Sequence, residues 1–470
     1  MVACAVMLAL VILTQRPGRS TAPPMDGAKP TRHARYAAEK AAAESSLREA
    51  VSGSSRRGSA GNLKYAVVVD AGSTGSRIHA FKFLSSGSDL LLEDSIFSAL
   101  EPGLSSYSAN PEAAADSLRP LLEKARDFVP ASHHALTSVE VRATAGLRLL
   151  PGDQATAILD AVRHLLSASY PFFVPADAVS VLEGSDEGVF MWVTSNYYLG
   201  RIGRPSGETV SVVDLGGGSV QRAFAIQGPA PPSVPAESVK RIQAAGQSYD
   251  VYVHSYLGFG LKASRKTFLA PYEEVDAGHP CLHSGFVGRY AYGGESVIAK
   301  SQTEGADVTQ CLGTMALEMR LDEPCGVASQ CSFDGVWSGG GGPGAKENFV
   351  SSYLVDMAGD VGIIPRKSDG GRVRAGDFLR AAQRLCPMEV EAAATAVPKY
   401  LNGDGDKPYV CMDLLYAYKL LKDGFDFPEE GEFSLVKRFD YKGQKVEAAW
   451  PLGAAIHTVG TLPASSSSSY

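Results

Sequence analysis

The stretch KYAVVVDAGSTGSRIHAFKF, residues 64–83, decides how the rest of the chain is read. Tyr65–Asp70 is a continuous, valine-rich run closed by a glycine-rich turn, the pattern of a strand buried on both faces. Ile78–Phe83 resumes strand character, so DAGSTGSR is a hairpin loop. TVSVVDLGGGSVQRAFAI, residues 209–226, repeats the device. A Gly/Ser-rich turn between strands points several backbone N–H groups one way, a nest for anionic oxygens. Glycine lets the backbone approach a phosphate, and hydroxyls add donors. The leading aspartate is repelled by phosphate, but it can hold a divalent cation through water. Two facing halves of a phosphate clamp follow: Asp70 with Ser73, Thr74, Gly75 and Ser76, and Asp214 with Gly216, Gly217, Gly218 and Ser219. A tight hairpin explains one such loop; it does not explain two, each behind a buried strand. Other phosphate signatures are absent, with no G-x-x-x-x-G-K-S/T and no G-x-G-x-x-G opening a helix. WSGGGGPG (337–344) follows no clear strand and reads as a surface loop.

A chain of 470 residues is too long for one core, so two domains are expected. A net charge of −7 without a basic face argues against nucleic acid as a partner. Positive potential for phosphates must then come from backbone amides, a metal or a few Arg and Lys. VACAVMLALVILT (2–14) is short for a membrane span and suits a signal peptide or signal anchor, residues 1–14. Residues 15–61, with nine Lys or Arg against four Asp or Glu, read as a flexible stalk. Arg16 and Arg19 follow the apolar run and none precedes it, which by the positive-inside rule alone places the bulk of the chain in the cytosol. The cysteines speak for the other side. Beyond Cys4 there are six, Cys281, Cys311, Cys325, Cys331, Cys386 and Cys411, an even number suited to disulfides in the secretory pathway. Six cysteines allow 15 pairings. Zinc lacks a C-x-x-C pair or a histidine at ligand spacing.

Along the chain, helix is expected over 110–129, then strand, small-residue loop and helix start over 138–150. A strand follows at 178–182 and a helix at 185–200 with Ser185 as N-cap. Further helices are expected near 255–270, 346–361, 376–386 and 412–425, and the tail 461–470 is low complexity. Alternating strands and helices indicate an α/β protein with buried sheets.

The doubled Asp–Gly arrangement resembles the actin, hexokinase and heat-shock ATPase superfamily. More narrowly, the chain resembles the apyrase family of nucleoside triphosphate diphosphohydrolases, in its plant-like branch. VVVDAGSTGSR, VRATAGLRLL (141–150), VLEGSDEGVFMWVTSNYYLG (181–200), VVDLGGGSVQRAF (212–224) and EAAWPLGAAI (447–456) carry the match in order. YVHSYLGFG (252–260) and CMDLLYAYKLLKDGF (411–425) extend it, covering about residues 63–460. The resemblance implies two ribonuclease-H-like domains with an interdomain nucleotide cleft: domain I over 62–205 with a C-terminal return near 430–460, and domain II over 206–430. It implies Glu187 as general base, Thr144 and Gln221 as water-positioning residues, and Trp450 near the waters of a metal held by Asp70 and Asp214. For base stacking it offers Tyr353 and Tyr416 as candidates, with core packing the plainer reading of both, and it implies the pairings Cys281–Cys311, Cys325–Cys331 and Cys386–Cys411. EGSDEG departs from the family's tighter acidic pattern before glycine. A carboxylate in a first helical turn is also what the helix dipole favours by itself. Arg77 and Arg148 approach phosphate oxygens in one reading and form surface salt bridges in the plainer one.

The expected activity is removal of terminal phosphate from nucleoside tri- and diphosphates, using Ca²⁺ or Mg²⁺, without a phosphoenzyme. The expected location is the secretory-pathway lumen, the Golgi included, or outside the cell, membrane-anchored if the first segment is retained. Two rivals share the clamp: a superfamily kinase acting on a small acceptor, and a non-enzymatic nucleotide-switched module.

Overall fold

β1 (Asn62–Ala71) divides its side chains between two cores, which is why its sequence shows no polar face. In the computed structural model, Val67, Val69 and Ala71 meet the core under the helices Pro111–Ser117, Arg119–Phe128 and Gln154–Ser169. Ala66 and Val68 enter a different layer on the opposite face. The structure describes residues 62–461 apart from 87–88, 228–229, 231–233, 245–246, 328–329 and 342. The expected leader, stalk and tail beyond 461 lie outside the described residues. Among the described residues no helix is long and apolar enough to cross a membrane.

β1 pairs antiparallel with β2 (Ser76–Ser86) and parallel with β4 (Ser138–Ala143). With β3 (Asp89–Leu100) and β5 (Val179–Val181) they form a sheet of order β3-β2-β1-β4-β5. β6 (Ser211–Leu215) is built the same way, antiparallel to β7 (Ser219–Ala225) and parallel to β12 (Asn348–Ser352). Its sheet adds β8 (Val239–Ala244), β9 (Gln247–Leu257), β13 (Gly370–Arg374) and β14 (Glu432–Val436), in the order β13-β14-β12-β6-β7-β9-β8. Without the edge strands β13 and β8, the order β9-β7-β6-β12-β14 repeats the first sheet, pairing directions included. The described residues therefore form two ribonuclease-H-like halves.

Strand parity then aims the aspartates. Val213 and Leu215 face the outer core of the second half, whereas Val212 and Ala223 share the layer of Ala66 and Val68. Asp70 has the parity of Val68, and Asp214 that of Val212, so both strands deliver their aspartate to the layer between the sheets.

Two helices fill that layer. Gly184–Tyr198 lies on β6, β7 and β9, Pro451–Thr461 lies on β1, and the two pack on each other. Gly184–Tyr198 has no solvent-facing polar stripe because it is covered nearly all round, its buried Thr194, Ser195 and Asn196 included. Gly453 sets the crossing: a Cβ there would lie 2.2 Å from the Phe190 carbonyl oxygen. Its N–H instead donates to Thr194 Oγ1 at 2.9 Å.

Several expected boundaries move. The helix expected from Ser185 begins at Gly184 behind Glu183, with no side-chain cap. Strand β9 runs to Leu257, and the following helix is Leu261–Leu269. Residues 346–361 hold β12 before the helix Tyr353–Asp360, because Phe349 and Val350 extend a buried parallel ladder. Helix Gly184–Tyr198, inside the range read as domain I, sits on the second sheet, and β14, past 430, belongs to that sheet as well. Trp337 is buried against Tyr252 and Phe224, so WSGGGGPG opens from the core and not from the surface.

The six cysteines among the described residues lie in the second half, paired Cys281–Cys311, Cys325–Cys331 and Cys386–Cys411 as the resemblance implied. The last joins the helix Ala375–Leu385 to Val410–Lys419, whose Phe378 and Leu414 share the outer core. A staple of this kind stabilises by about 2–4 kcal/mol.

Candidate active site

The two aspartyl loops have the same backbone. The amide of Gly72 donates to the Gly75 carbonyl at 3.0 Å, and that of Gly216 to the Ser219 carbonyl at 3.0 Å. Each bond joins the second and fifth residues after the aspartate. The loops also meet: a Cβ on Gly217 would lie 2.5 Å from Ser73 Oγ and 3.5 Å from Thr74 Cγ2. A side chain at 217 would have to displace the Ser73 hydroxyl, and the glycine is not there for a positive φ.

The residue across the hairpin from each aspartate shares its face. Opposite Asp70 is Arg77, whose Nη1 lies 3.4 Å from Asp70 Oδ2. Opposite Asp214 is Gln221, and opposite Gln221 on β9 is Ser255. Asp214 itself accepts from Ser351 Oγ at 3.2 Å and Ser352 Oγ at 2.5 Å, both at the end of β12. Ser352 has a φ of 61°, a strained conformation for a non-glycine residue.

Glu187 reaches this face from the first turn of helix Gly184–Tyr198. Gly188 lets the helix settle on β9, since a Cβ there would lie 2.7 Å from Val253 Cγ2. Gly184 does the same one turn earlier, with Ser255 Oγ 2.3 Å from a would-be Cβ. Glu187 Oε2 then accepts from Gln221 Nε2 at 3.2 Å and from Arg148 Nη2 at 2.5 Å. Gln221 Nε2 also lies 2.6 Å from Ser219 Oγ and 2.9 Å from Ser255 Oγ. Thr144, buried at the end of β4, donates its amide to the Ala71 carbonyl at 3.2 Å, beside the first loop.

Burial governs the charges here. It pushes the Glu187 carboxyl up to about 8; Arg148 opposes this, while Asp214 and Asp70 add to it. Burial likewise raises Asp70 to about 6, against the pull of Arg77 and with Asp214 adding; the Trp450 indole beside it favours the charged form. Asp214 is raised by burial and held down in part by its two serine donors. Three buried carboxyls against two guanidinium groups form a site short of positive charge.

Asp70 Oδ1 is buried and has no hydrogen-bond partner. Oxygen donors of this kind suit a hard cation. No group of three His, Cys, Asp or Glu among the described residues could hold a metal directly. The residues fit a divalent cation that Asp70 and Asp214 would hold through water.

Two sequence readings change. Arg77 and Arg148 are not surface bridges: both pair with carboxyls of the site. Tyr416 is 1% exposed, its ring against Phe268 and its hydroxyl donating to the Phe259 carbonyl. It has no free face for a base. Tyr353 lies beside Thr74 of the first loop, with Lys262 Nζ 5.7 Å from its ring centroid. The sequence reading missed Ser255, Ser351 and Ser352. Ser255 lies across β7–β9 from Gln221, a relation that strand pairing fixes and sequence spacing does not.

Residues 57–468 match the model of the GDA1/CD39 (nucleoside phosphatase) family. The chain belongs to that family. It is 42% identical over 410 residues to "Probable apyrase 1" of Oryza sativa subsp. japonica, covering 85% of this chain and 83% of the rice protein. It is 42% identical over 407 residues to a "Nucleoside-triphosphatase" of Pisum sativum, covering 85% and 89%. A "Nucleoside diphosphate phosphatase ENTPD5" of Homo sapiens is 34% identical over 409 residues, covering 85% and 88%. Among solved structures, nucleoside triphosphate hydrolases from Neospora caninum superpose with a TM-score of 0.59 at 15% identity, covering 90% of this chain and 97% of that one. This last likeness shows the fold. Membership makes the chain a nucleoside phosphatase.

Proposed function

We propose that this GDA1/CD39 member removes the terminal phosphate from nucleoside tri- and diphosphates by direct attack of water. The observation that carries the reading is the Glu187–Gln221 hydrogen bond, which fixes a buried carboxyl between two matched phosphate loops. Loop amides and the hydroxyls of Ser73, Thr74, Ser76 and Ser219 bind the phosphate chain. Thr144 and Gln221 orient the water, and Glu187 takes its proton. Phosphoryl transfer asks for positioning and charge neutralisation, so a covalent intermediate is not needed. A Ca²⁺ or Mg²⁺ ion, held through water by Asp70 and Asp214 near Trp450, would neutralise charge on the phosphate oxygens. Tyr353 offers its ring to the base.

The chain acts in the secretory lumen or outside the cell in this reading, which rests on the three disulfides. Phosphate release from ATP, ADP, GDP and UDP, without acceptor and with or without a chelator, tests it. Release in the absence of acceptor and its loss with chelator are expected. Transfer of the phosphoryl group to an added alcohol, with no free phosphate in its absence, would favour a kinase, and release that survives the chelator would remove the ion.

A further inference from the structure

Tyr292 is used by neither the fold nor the site as described above. It ends β10 (Val287–Tyr292), and Gly293 and Gly294, at φ 65° and 82°, turn the chain into β11 (Glu295–Lys300). The hairpin is an addition to the second half, outside the seven-stranded sheet. Its position is tied to the second phosphate loop through one helix. The amides of Leu261, Lys262 and Ala263, opening the helix Leu261–Leu269, donate to the Gly216 and Gly217 carbonyls at 2.9 Å. The Tyr290 hydroxyl donates to the Lys262 carbonyl at 2.7 Å, and Lys266 pairs with Glu295 at the hairpin tip.

So anchored, the Tyr292 hydroxyl arrives where the loops meet. A Cβ on Gly218 would lie 2.7 Å from it and 2.7 Å from Ala145 Cβ of the first half. Ser73 and Arg148 are close enough to draw its pKa down, yet burial prevails and holds the phenol at about 12, so it is a neutral donor. The hydroxyl is buried; the Ser73 side chain of the first loop is within its reach, yet no hydrogen bond of ordinary geometry forms. A buried donor without a partner costs about 1–3 kcal/mol, which an anionic acceptor would recover.

We propose that Tyr292 is a third arm of the clamp, donating its hydroxyl to a non-bridging oxygen of the bound phosphate chain. This rests on the reading that the loops hold phosphates. The contact is made to substrate and transition state alike, so it acts on affinity and leaves the chemical step alone.

Tyr292→Phe removes the hydroxyl and keeps the ring. The full chain and the variant are compared by thermal midpoint without ligand, by Kd for β,γ-imido-ATP with magnesium, and by KM and kcat for ADP. The expected result is an unchanged or raised ligand-free midpoint, with Kd and KM weakened roughly ten- to hundredfold, as for a bond to a charged acceptor. The kcat should stay within about threefold. A variant that binds the analogue within about twofold of wild type overturns the inference. So does one whose ligand-free midpoint falls clearly, since the hydroxyl would then be a structural bond. A wild-type protein that binds the analogue but releases no phosphate contradicts hydrolysis alone, and Kd still decides on Tyr292.

Discussion

The two aspartyl hairpins share backbone, register and strand neighbours, and differ in what stands opposite the aspartate. The first sets Arg77 against Asp70 and leaves Asp70 Oδ1 unpartnered. The second sets Gln221 against Asp214, which two serines satisfy, and lends Gln221 to Glu187. One device duplicated has thus taken two electrostatic tasks. In the proposed reading the first loop manages charge, offering an aspartate to a cation and an arginine to phosphate. The second is neutral apart from its aspartate and, in the same reading, orders Gln221 and Glu187 to aim a water. An acidic chain can grip a polyanion because most of its donors are amides and hydroxyls.

The strongest way to break this division is at the group both halves serve. Glu187→Gln should lower phosphate release by about 10²–10⁴-fold, the usual worth of a positioned base, with nucleotide binding retained. The same variant has a pH signature. Glu187 and Asp70 have folded pKa values of about 8 and about 6, above their ordinary 4.5 and 3.8. The folded state therefore holds these protons more tightly than the unfolded chain. The stability they give is complete below pH about 4 and is lost as pH rises through 6 and then 8. The cation-free thermal midpoint of wild type should fall from pH 5 to pH 8 more than that of Glu187→Gln. An equal fall in both would refute the burial argument.

Next come the opposed residues. Gln221→Ala should reduce kcat about tenfold or more by releasing the Glu187 carboxyl, with little change in KM. Arg77→Gln, which makes the first hairpin like the second, should act chiefly on KM. If the two variants shift the same parameter, the loops do not divide the work. The smallest effect is expected at Ser352→Ala, which takes one donor from Asp214. About 1 kcal/mol of stability should go with it in denaturant unfolding, and activity should fall only severalfold. No loss of either would leave Asp214 held by its strand alone.

The hairpins and the α/β class were legible because buried strands and glycine-rich turns have short-range signals. Glu187, Thr144 and Gln221 could be named only through ordered motifs, since spacing cannot say which first-turn carboxyl points inward; Asp186 lies on the same turn and pairs with Lys240 instead. Tyr416 misled because a tyrosine in an amphipathic run looks alike whether its ring faces a cleft or, as here, Phe268. Long-range pairing hid the rest. Ser351 and Ser352 reach Asp214 through the β6–β12 ladder, and helix Gly184–Tyr198 crosses to the second sheet, neither of which leaves a mark in local sequence.

The central claim is that both hairpins hold one phosphate chain with Glu187 aimed at its end. A crystal structure with β,γ-imido-ATP and magnesium tests it most directly. Amides of both loops should lie about 2.7–3.2 Å from oxygens of the same chain. A water should bridge Glu187 and Gln221 in line with the terminal phosphorus. An analogue engaged by one loop alone, or a terminal phosphate turned away from Glu187, would contradict the account.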